Sequence, residues 1–313
     1  MSKGFIIIDG SNIGFQATAG ARKKGAKLLK VGEQETGGAF YFLRSIQAIC
    51  QRLPILTPIV CWDNVSWRKK ELAAYKASRD DAPTTKSQEL LAEHRAAFKS
   101  QRPLMCEGLE LLGVAQIQAL NLEADDIGGM LVRRYHDKTL LLLTSDKDWV
   151  QLVSPKVTWF DPLNNRRIRP STIKAELGVE NAQQWLEVKA LAGDSSDEIS
   201  GVGGIGVKGA IELVTTYGSV GEFLNRSIDG TLPKLPKKFA DLAESAEKQA
   251  IYRRNIRLMD LRTPNIAPPP VNLTVNKGQF DKAGFDDFAK RWLFQSILND
   301  NEWCDPFAPK EAA

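Results

Sequence analysis

The stretch that decides the fold is FIIIDGSN, at residues 5–12. Its four consecutive apolar residues favour a buried parallel strand, because a strand covered on both faces reads as a short continuous apolar run. Polar residues follow at once, beginning with Asp9. The sequence therefore predicts a central strand whose carboxylate emerges at its C-terminal end.

The same pattern recurs twice farther along the chain. The run PIVCW at residues 58–62 leads into Asp63. The run TLLLLT at residues 139–144 leads into Asp146 and Asp148. Helical stretches separate these runs, at residues 39–52 and 125–135. The alternation predicts a doubly wound α/β sheet, and ligands bind such sheets beyond the carboxyl ends of the strands, where these acids lie.

The 313 residues, of which 43% are hydrophobic, suffice for one large domain or two closely packed ones. Residues 1–180 are predicted to form the α/β core. From about residue 181 the pattern changes to helices and glycine turns, so we expect a helical region over 181–263. Four prolines at 264–270 break any helix and predict a linker. Residues 264–313 are therefore interpreted as this linker and a C-terminal segment without a readable pattern.

Positive charge is concentrated in one part of the chain. The formal net charge is only +4, from 42 Lys+Arg against 38 Asp+Glu. Residues 64–102 contain nine Lys/Arg and five Asp/Glu, an excess of four that equals the excess of the whole chain. Such a stretch is typical of a surface that follows phosphates, and an ordinary solvated helix is the alternative.

Cysteine and histidine usage excludes several classes of site. The four cysteines are widely spaced, form no CxxC pair and follow no secretory leader, which favours free thiols in a reducing cytoplasm. Neither of the two histidines has the neighbours that a His-rich metal site or a Ser/His/Asp triad would need. We therefore expect a cytoplasmic protein of a bacterium, or of a phage in its host, that does not act at a membrane.

Nine acids in five segments are the candidate metal ligands: Asp9, Asp63, Glu123, Asp125, Asp126, Asp146, Asp148, Asp194 and Asp197. Each alone reads as surface charge, because roughly one residue in eight is acidic. Acids at the borders of apolar runs, however, are partly desolvated and repel one another unless cations neutralise them. Mg²⁺ prefers a few such carboxylates together with water and phosphate oxygens.

Two such ions, about 4 Å apart, would activate a water and stabilise the leaving oxygen of a phosphodiester displacement. That chemistry needs many acids and no histidine. For Asp125 a second interpretation stays open, because an acid in the first turn of a helix is stabilised by the helix dipole with or without a metal.

The glycine-rich segment GVGGIG at residues 201–206 matches the dinucleotide fingerprint but follows a polar, turn-like stretch instead of a strand. A glycine hairpin before a helix at 207–217 explains it better, because exposed amides at a helix start can receive a DNA phosphate. A helical turn without function is the alternative. The candidate DNA-binding residues here are Gly201, Gly203, Gly204, Gly206 and Lys208.

The basic stretch at residues 67–79 is predicted to be helical. Arg68, Tyr75 and Arg79 are spaced so that they share one helix face. Cations on that face, including Lys76, would hold the scissile phosphate, and Tyr75 would stack on a base. A solvated helix without function is again the alternative.

Six ordered patterns together resemble the 5′-nuclease family of phage exonucleases, flap endonucleases and the N-terminal nuclease of bacterial DNA polymerase I. They are DG at 9–10, an Asp with the basic stretch at 63–79, EADD at 123–126, SDKDWVQL at 145–152, GDSSDEISG at 193–201 and GVGGIGVKGA at 201–210. The match covers roughly residues 4 to 225. No polymerase region follows it, which predicts a stand-alone nuclease.

The resemblance implies a PIN-like (Rossmann-like) α/β nuclease core, a helical arch at about 64–102 and a C-terminal helix-hairpin-helix (helix-three-turn-helix) region. It implies that the nine acids hold two or three Mg²⁺ or Mn²⁺ ions. It also implies that Lys76 and Arg79 act in catalysis by contacting the scissile phosphate, and that residues 201–208 grip duplex DNA. Hairpins of this family can hold a potassium ion on backbone carbonyls.

The leading hypothesis is a structure-specific 5′-to-3′ exonuclease and flap endonuclease acting on DNA with 5′ ends, flaps or nicks. A second hypothesis is that the same site removes RNA primers from RNA–DNA hybrids. A third is a DNA-structure-binding protein that keeps the fold without cutting, which the complete set of acids disfavours.

Overall fold

The computed structural model describes residues 4–23, 28–79 and 81–309. The strands of this part of the chain, in order, are β1 (Gly4–Asp9), β2 (Lys30–Val31), β3 (Gln34–Glu35), β4 (Leu56–Cys61), β5 (Ala115–Gln118), β6 (Thr139–Leu143), β7 (Val157–Asp161), β8 (Arg166–Ile168), β9 (Gly193–Asp194), β10 (Ile199–Ser200) and β11 (Thr274–Asn276).

Seven of these strands form one sheet, in the order β11-β5-β4-β1-β6-β7-β8. The five inner strands are parallel, and the two edge strands β11 and β8 are antiparallel to their neighbours. The central strand β1 pairs on both sides, with Ile7 opposite Ile59 of β4 and Leu142 of β6. The predicted parallel α/β sheet and its three apolar strands are thus confirmed, whereas β5 and β7 were not predicted.

The helices of the described residues are α1 (Gly10–Ala21), α2 (Gly37–Arg52), α3 (Arg68–Glu71), α4 (Lys86–Leu111), α5 (Ala124–Arg134), α6 (Ile173–Leu177), α7 (Ala182–Ala192), α8 (Val207–Tyr217), α9 (Val220–Ile228), α10 (Lys237–Glu244), α11 (Ala246–Met259), α12 (Lys282–Arg291) and α13 (Gln295–Leu298). Within these described ranges, none of the helices has the length and apolar composition that crossing a membrane requires.

Helices cover both faces of the sheet, and the side-chain alternation of β1 divides the core in two. Ile6 and Ile8 point to one face and pack in a cluster with α1, α2, α4 and α12. Ile7 points to the other face and packs in a cluster with α5 and the helical region. All three isoleucines are fully buried, which explains why the strand is apolar at every position.

The helical region predicted from residue 181 is present. Asn181 begins it by accepting a hydrogen bond from the backbone N–H of Gln184 (3.0 Å), which caps α7. Helix α8 spans Val207–Tyr217, as the sequence predicted. Helices α8 and α11 both pack against α7, so α7 is the centre of this region.

The C-terminal segment is an integral part of the α/β core. After the proline-rich residues, β11 extends the sheet by pairing with β5, with Val275 opposite Ile117. Helix α12 then buries Phe285 and Phe288 completely in the cluster that contains α2 and α4. The sequence offered no readable pattern here, because these aromatic residues have partners far away in the chain.

The prediction of one continuous helix over residues 67–79 is wrong. Helix α3 is a single turn, Leu72 is extended (φ −139°, ψ 105°), and a separate 3-10 helix spans Ala77–Arg79. Lys76 between them has φ +53°, in the left-handed region that a right-handed helix cannot contain. The long helix of this region is α4, which starts after a capping box formed by Thr85 and Gln88.

Candidate active site

A cavity of about 430 Å³ lies at the carboxyl edge of the sheet, where the strands deliver their acids. Six of the nine predicted acids line it: Asp9, Asp63, Glu123, Asp125, Asp146 and Asp197. The first five follow β1, β4, β5 or β6, and Asp197 comes from the hairpin between β9 and β10. Parallel strands place their carboxyl ends at one edge, so acids from four separated segments meet there, and the β9–β10 hairpin adds Asp197.

Backbone geometry orients the acids at the strand ends. Asp9 caps α1, because its Oδ1 accepts from the N–H of Asn12 (2.9 Å), and its Oδ2 accepts from the hydroxyl of Thr144 (3.0 Å). Asp63 Oδ1 accepts from the N–H of Ala124 (2.8 Å) at the start of α5. Each carboxylate is thus fixed to a loop that follows a neighbouring strand.

The loop that follows β6 is tied to the first turn of α1 by the side-chain amide of Asn12, which the sequence did not single out. Asn12 Oδ1 accepts from both the backbone N–H (3.0 Å) and the hydroxyl (2.9 Å) of Ser145. Asn12 lines the cavity together with the acids. The signal that could have identified it is its place in the polar end of the first apolar run.

Helix α5 directs its two adjacent acids to opposite environments. Asp125 lines the cavity and accepts from Trp149 Nε1 (2.6 Å). Asp126 is only 4% exposed and forms a two-point ion pair with Arg68, at 2.9 Å and 2.8 Å. The structure therefore corrects the prediction for Asp126, because its oxygens are engaged by Arg68 and it does not line the cavity.

Four acids of the cavity have no cationic partner. No lysine or arginine in the described part of the chain forms an ion pair with Asp9, Asp63, Asp125 or Asp146. Burial first, and then the charge of neighbouring carboxylates, raises the pKa of each, and that of Asp146 reaches about 7. When ionised, these neighbouring carboxylates repel one another, and a bound divalent cation would neutralise that repulsion.

The donor set fits a hard divalent cation. It consists of carboxylate oxygens, whereas the cavity contains neither histidine nor cysteine among its lining residues. Among the residues that the structure describes, no three acids, histidines or cysteines lie close enough together to hold a metal ion as they stand. An open arrangement of this kind suits Mg²⁺, which keeps waters and takes phosphate oxygens from a substrate.

Lys76 and Arg79 bring positive charge to the cavity and pair with its acids. Lys76 Nζ lies 2.5 Å from Glu123 Oε1 and 3.4 Å from Asp197 Oδ2, and Arg79 lies 2.9 Å from Asp197 Oδ1. Burial opposes ionisation of Glu123, but the charges of Lys76 and Arg68 outweigh it and lower the pKa of Glu123 to about 2. Both predicted catalytic cations thus border the acids.

The structure contradicts the predicted DNA contacts of Arg68 and Tyr75. Arg68 is 3% exposed and Tyr75 is 1% exposed, so neither can meet a base or a phosphate in this arrangement. The Tyr75 hydroxyl donates to Glu123 (2.8 Å) and Asp197 (3.1 Å), and Arg68 also donates to the carbonyl of Leu258 (2.6 Å). Both side chains hold the acids and the two regions in place.

Asp148 and Asp194 lie beside the cavity and share a lysine that the sequence analysis missed. Lys189 Nζ lies 2.9 Å from Asp148 Oδ1 and 2.5 Å from Asp194 Oδ2. The only sequence signal is its position near the C-terminal end of α7, where a basic residue is favoured in any helix. Nothing local distinguishes it from a solvated lysine.

Arg95 is a second missed cation. It lies on α4 and lines the cavity beside Leu91 and Phe98. Burial and then the charge of Arg79 lower the pKa of Arg95, and among the described residues it forms no ion pair. The sequence feature that could have identified Arg95 is its position in the basic stretch 64–102. Nothing in the sequence, however, distinguishes it from the other lysines and arginines of that stretch.

The glycine hairpin precedes α8 as predicted, and its glycines differ in their surroundings. A Cβ at Gly201 would lie 2.4 Å from the carbonyl oxygen of Ala192, so Gly201 serves close packing against α7. A Cβ at Gly203, Gly204 or Gly206 would meet no atom within 4 Å, and these three glycines are exposed. They present open backbone at the start of α8, next to exposed Lys208.

Two family models match the chain one after the other. The 5′-3′ exonuclease N-terminal resolvase-like domain matches residues 4–178, and the 5′-3′ exonuclease C-terminal SAM fold matches residues 180–273. The first covers the α/β core up to α6, and the second covers the helical region. The boundary between them falls before α7.

Curated relatives include two kinds of protein. Flap endonuclease Xni of Shewanella sp. (strain W3-18-1) is 31% identical over 223 residues, which are 67% of this chain and 79% of the relative. Thermostable DNA polymerase I of Thermus thermophilus is 31% identical over 255 residues, which are 79% of this chain. The chain spans only about a quarter of the polymerase, 27% of its length.

Solved structures of similar fold include the phage T5 D15 protein, co-crystallised with metal ions. It has a TM-score of 0.67 and 25% identity, and the match covers 93% of this chain and 98% of that one. Flap endonuclease-1 from Methanococcus jannaschii has a TM-score of 0.59, with 98% and 91% covered, and at 17% identity it shows the fold alone. With both halves matched by consecutive family models, the chain belongs to the 5′-3′ exonuclease family.

Proposed function

We propose that the chain is a structure-specific 5′-to-3′ exonuclease and flap endonuclease that hydrolyses DNA phosphodiesters with divalent cations, Mg²⁺ by preference and Mn²⁺ in its place. The observation that carries this proposal is the cavity in which Asp9, Asp63, Asp125 and Asp146 lie together without an ion pair to any described lysine or arginine. A buried cluster of like charges is costly unless it serves to bind cations.

The proposed ligands are the acids at the carboxyl edge of the sheet and the two beside it: Asp9, Asp63, Glu123, Asp125, Asp146, Asp148, Asp194 and Asp197. Two cations bound there would supply activation of a water and neutralisation of the charge that develops on the leaving oxygen. Asp126 is left out of this set, because Arg68 engages both of its oxygens.

Lys76 and Arg79 are proposed to hold the scissile phosphate. Both border the cavity and pair with acids, and Arg79 keeps 38% of its side chain exposed. A phosphate that approaches the acids meets these two cations, which offset its charge and fix its position. Tyr75 contributes indirectly by donating to Glu123 and Asp197.

The exposed backbone before α8 is proposed to grip duplex DNA. Gly206 caps the helix without a side-chain acceptor, so the first amides of α8 are free to receive a phosphate. Lys208 adds positive charge beside them. We also propose that the backbone carbonyls of this hairpin bind a potassium ion.

The experiment that tests the proposal is cleavage of a 5′-labelled DNA flap, with Mg²⁺ and then with chelator. We expect release of the 5′ end only with the metal, and no release would refute the proposal. Asp125→Asn should lower the rate by at least about 100-fold while DNA binding persists. Asp137→Asn is the matched control, because Asp137 is exposed, pairs with Lys138 and does not line the cavity.

A panel of DNA flaps, nicked duplexes and RNA–DNA hybrids would define the substrate. Faster cleavage of DNA flaps supports the proposed specificity. Faster cleavage of hybrids would assign the same site to removal of RNA primers.

A further inference from the structure

Lys189 bridges two acids that come from different regions of the fold. Asp148 belongs to the 3-10 helix Lys147–Leu152 of the α/β core, and Asp194 follows α7 of the helical region. Their carboxylates lie 2.9 Å and 2.5 Å from Lys189 Nζ. All three side chains are less than one fifth exposed, so the cluster is largely shielded from water.

The charge of Lys189 is held in this position. Its ammonium lies between two carboxylates of opposite charge, which attract it. Ser196 fixes the orientation of Asp194, because its backbone N–H (2.8 Å) and its hydroxyl (2.6 Å) both donate to Asp194 Oδ1. Lys189 thus pairs with both acids, whereas no lysine or arginine of the described residues forms an ion pair with Asp9, Asp63, Asp125 or Asp146.

We propose that Lys189 is an intramolecular counter-ion that occupies the place of a divalent cation between Asp148 and Asp194 and leaves it when that cation binds. The inference rests on the proposed function, because it assumes that the acids hold divalent cations. It divides them into two classes. The four acids that form no ion pair within the described residues bind a cation without breaking such a pair, whereas Asp148 and Asp194 bind one only in competition with the ammonium group of Lys189.

The competition has a physical basis in the lysine side chain. Its ammonium is a compact charge on a flexible four-carbon stem, so it can withdraw without a change in the backbone. A cation that enters between the two acids would lie beside a like charge unless the ammonium moves away. Binding at this pair is therefore weaker by the free energy needed to break both ion pairs.

The test is a titration with Mn²⁺ in the absence of DNA, followed by the electron paramagnetic resonance signal of free Mn²⁺. We expect two classes of site in the wild type and, in Lys189→Met, a weaker class that tightens on the order of tenfold. Lys189→Arg keeps the charge and should bind as the wild type does. Lys138→Met removes an exposed ion pair with Asp137 and is the matched control.

A single class in the wild type, or a weaker class that does not tighten in Lys189→Met, overturns the inference. Equal tightening in Lys189→Arg also overturns it, because side-chain shape and not charge would then be the cause. If Mn²⁺ does not bind at all, the proposed function fails as well. Cleavage of flaps with unchanged Mn²⁺ affinity in Lys189→Met refutes only the role of Lys189.

A second measurement needs no variant and covers the case in which Lys189→Met does not fold. Acetylation of the wild type is followed at each lysine by mass spectrometry, with and without Mg²⁺. We expect Mg²⁺ to increase the modification of Lys189 several-fold, because the displaced amine meets solvent, and to leave Lys138 unchanged. Equal modification of Lys189 in both conditions contradicts the displacement.

Discussion

At the scale of single residues, the acids differ in whether a lysine or arginine side chain forms an ion pair with them. Asp126 has Arg68, and Asp148 and Asp194 share Lys189. The acids that face the cavity without such a partner carry raised pKa values, and burial raises the pKa of Asp148 as well in spite of Lys189. The difference between these groups determines how the protein should respond to pH and to metal.

The metal-free protein should lose stability as the pH rises. The folded-state pKa of Asp146 is about 7, above the value of about 4 in an unfolded chain. The folded state therefore binds this proton more tightly than the unfolded state does. The contribution of Asp146 to the free energy of unfolding is complete below about pH 4 and is lost as the pH rises through about 7. We expect a lower Tm at about pH 8 than at about pH 5, measured by thermal unfolding in chelator.

Two controls accompany this measurement. Mg²⁺ should raise the Tm more at the higher pH, because the acids are then ionised and free to bind it. Asp146→Asn should flatten the pH dependence. A metal-free wild type that melts higher at alkaline pH would contradict the assignment of repulsion to these acids.

Arg68 should matter for stability far more than an exposed arginine does. Arg68→Met leaves Asp126 buried without its counter-ion and removes one of the two cations that pair with Glu123, which costs about 3–5 kcal/mol. Urea denaturation measures this loss. Arg257→Met breaks an exposed ion pair with Glu71 and should stay close to the wild type. Equal stability of the two variants would show that the buried pairs are not important for folding.

At the scale of elements, the ends of helices and strands carry the chemistry. The ends of β1, β4 and β6 place acids at one edge, and the start of α8 exposes amides without a side-chain cap. The elements themselves are ordinary, and their interiors are apolar and buried. Function therefore depends on the backbone at their termini, which substitutions of glycine can probe.

Gly206→Ala should weaken duplex binding and leave the fold intact. Gly206 has φ −83°, which alanine adopts freely, and a Cβ there meets no atom within 4 Å. The change should cost less than about 1 kcal/mol in stability. A methyl group at the helix start would, however, keep a phosphate away from the amides, so we expect several-fold weaker binding by fluorescence anisotropy.

Gly221→Ala is the matched control for this prediction. Gly221 lies near the start of α9, where a Cβ meets only Ser219 Oγ at 3.8 Å. It should bind duplex as the wild type does. Equal affinity of Gly206→Ala and the wild type would argue against a phosphate at the start of α8.

At the scale of the whole molecule, the chain returns from the helical region to complete the sheet. Strand β11 forms its edge, and α12 fills the face between α2 and α4. The α/β core is therefore built from both ends of the chain. Its stability should depend on the C-terminal segment as much as on the N-terminal strands.

Phe288→Ala should destabilise the entire α/β core. The ring is fully buried and packs against Phe285 and Phe294 at centroid distances of 5.7 Å and 5.8 Å. Its removal should cost about 3–5 kcal/mol, seen as a lower urea midpoint for the whole transition. Ile228→Ala, at an 84% exposed position, is the control. Loss of α12 alone, with the remaining structure unfolding at the wild-type midpoint, would contradict this view.

The sequence by itself determined three central strands of the sheet and the place of the acids that follow them. Residues 5–8 had to be apolar because helices cover both faces of β1, and that requirement is visible as a continuous run. Asp9, Asp63 and Asp146 each follow such a run, so their meeting at one edge followed from parallel topology. The helix at 207–217 was equally visible, because glycines mark its start and end.

Only the tertiary structure determined which lysine or arginine pairs with each acid. Arg68 turns inward to Asp126 and to the carbonyl of Leu258, and Lys189 joins Asp148 to Asp194 across two regions. The same is true of β11, whose partner β5 lies far away in the chain. Periodicity reports how a segment meets solvent and core, but it contains no information on which distant side chain an ionised group will meet.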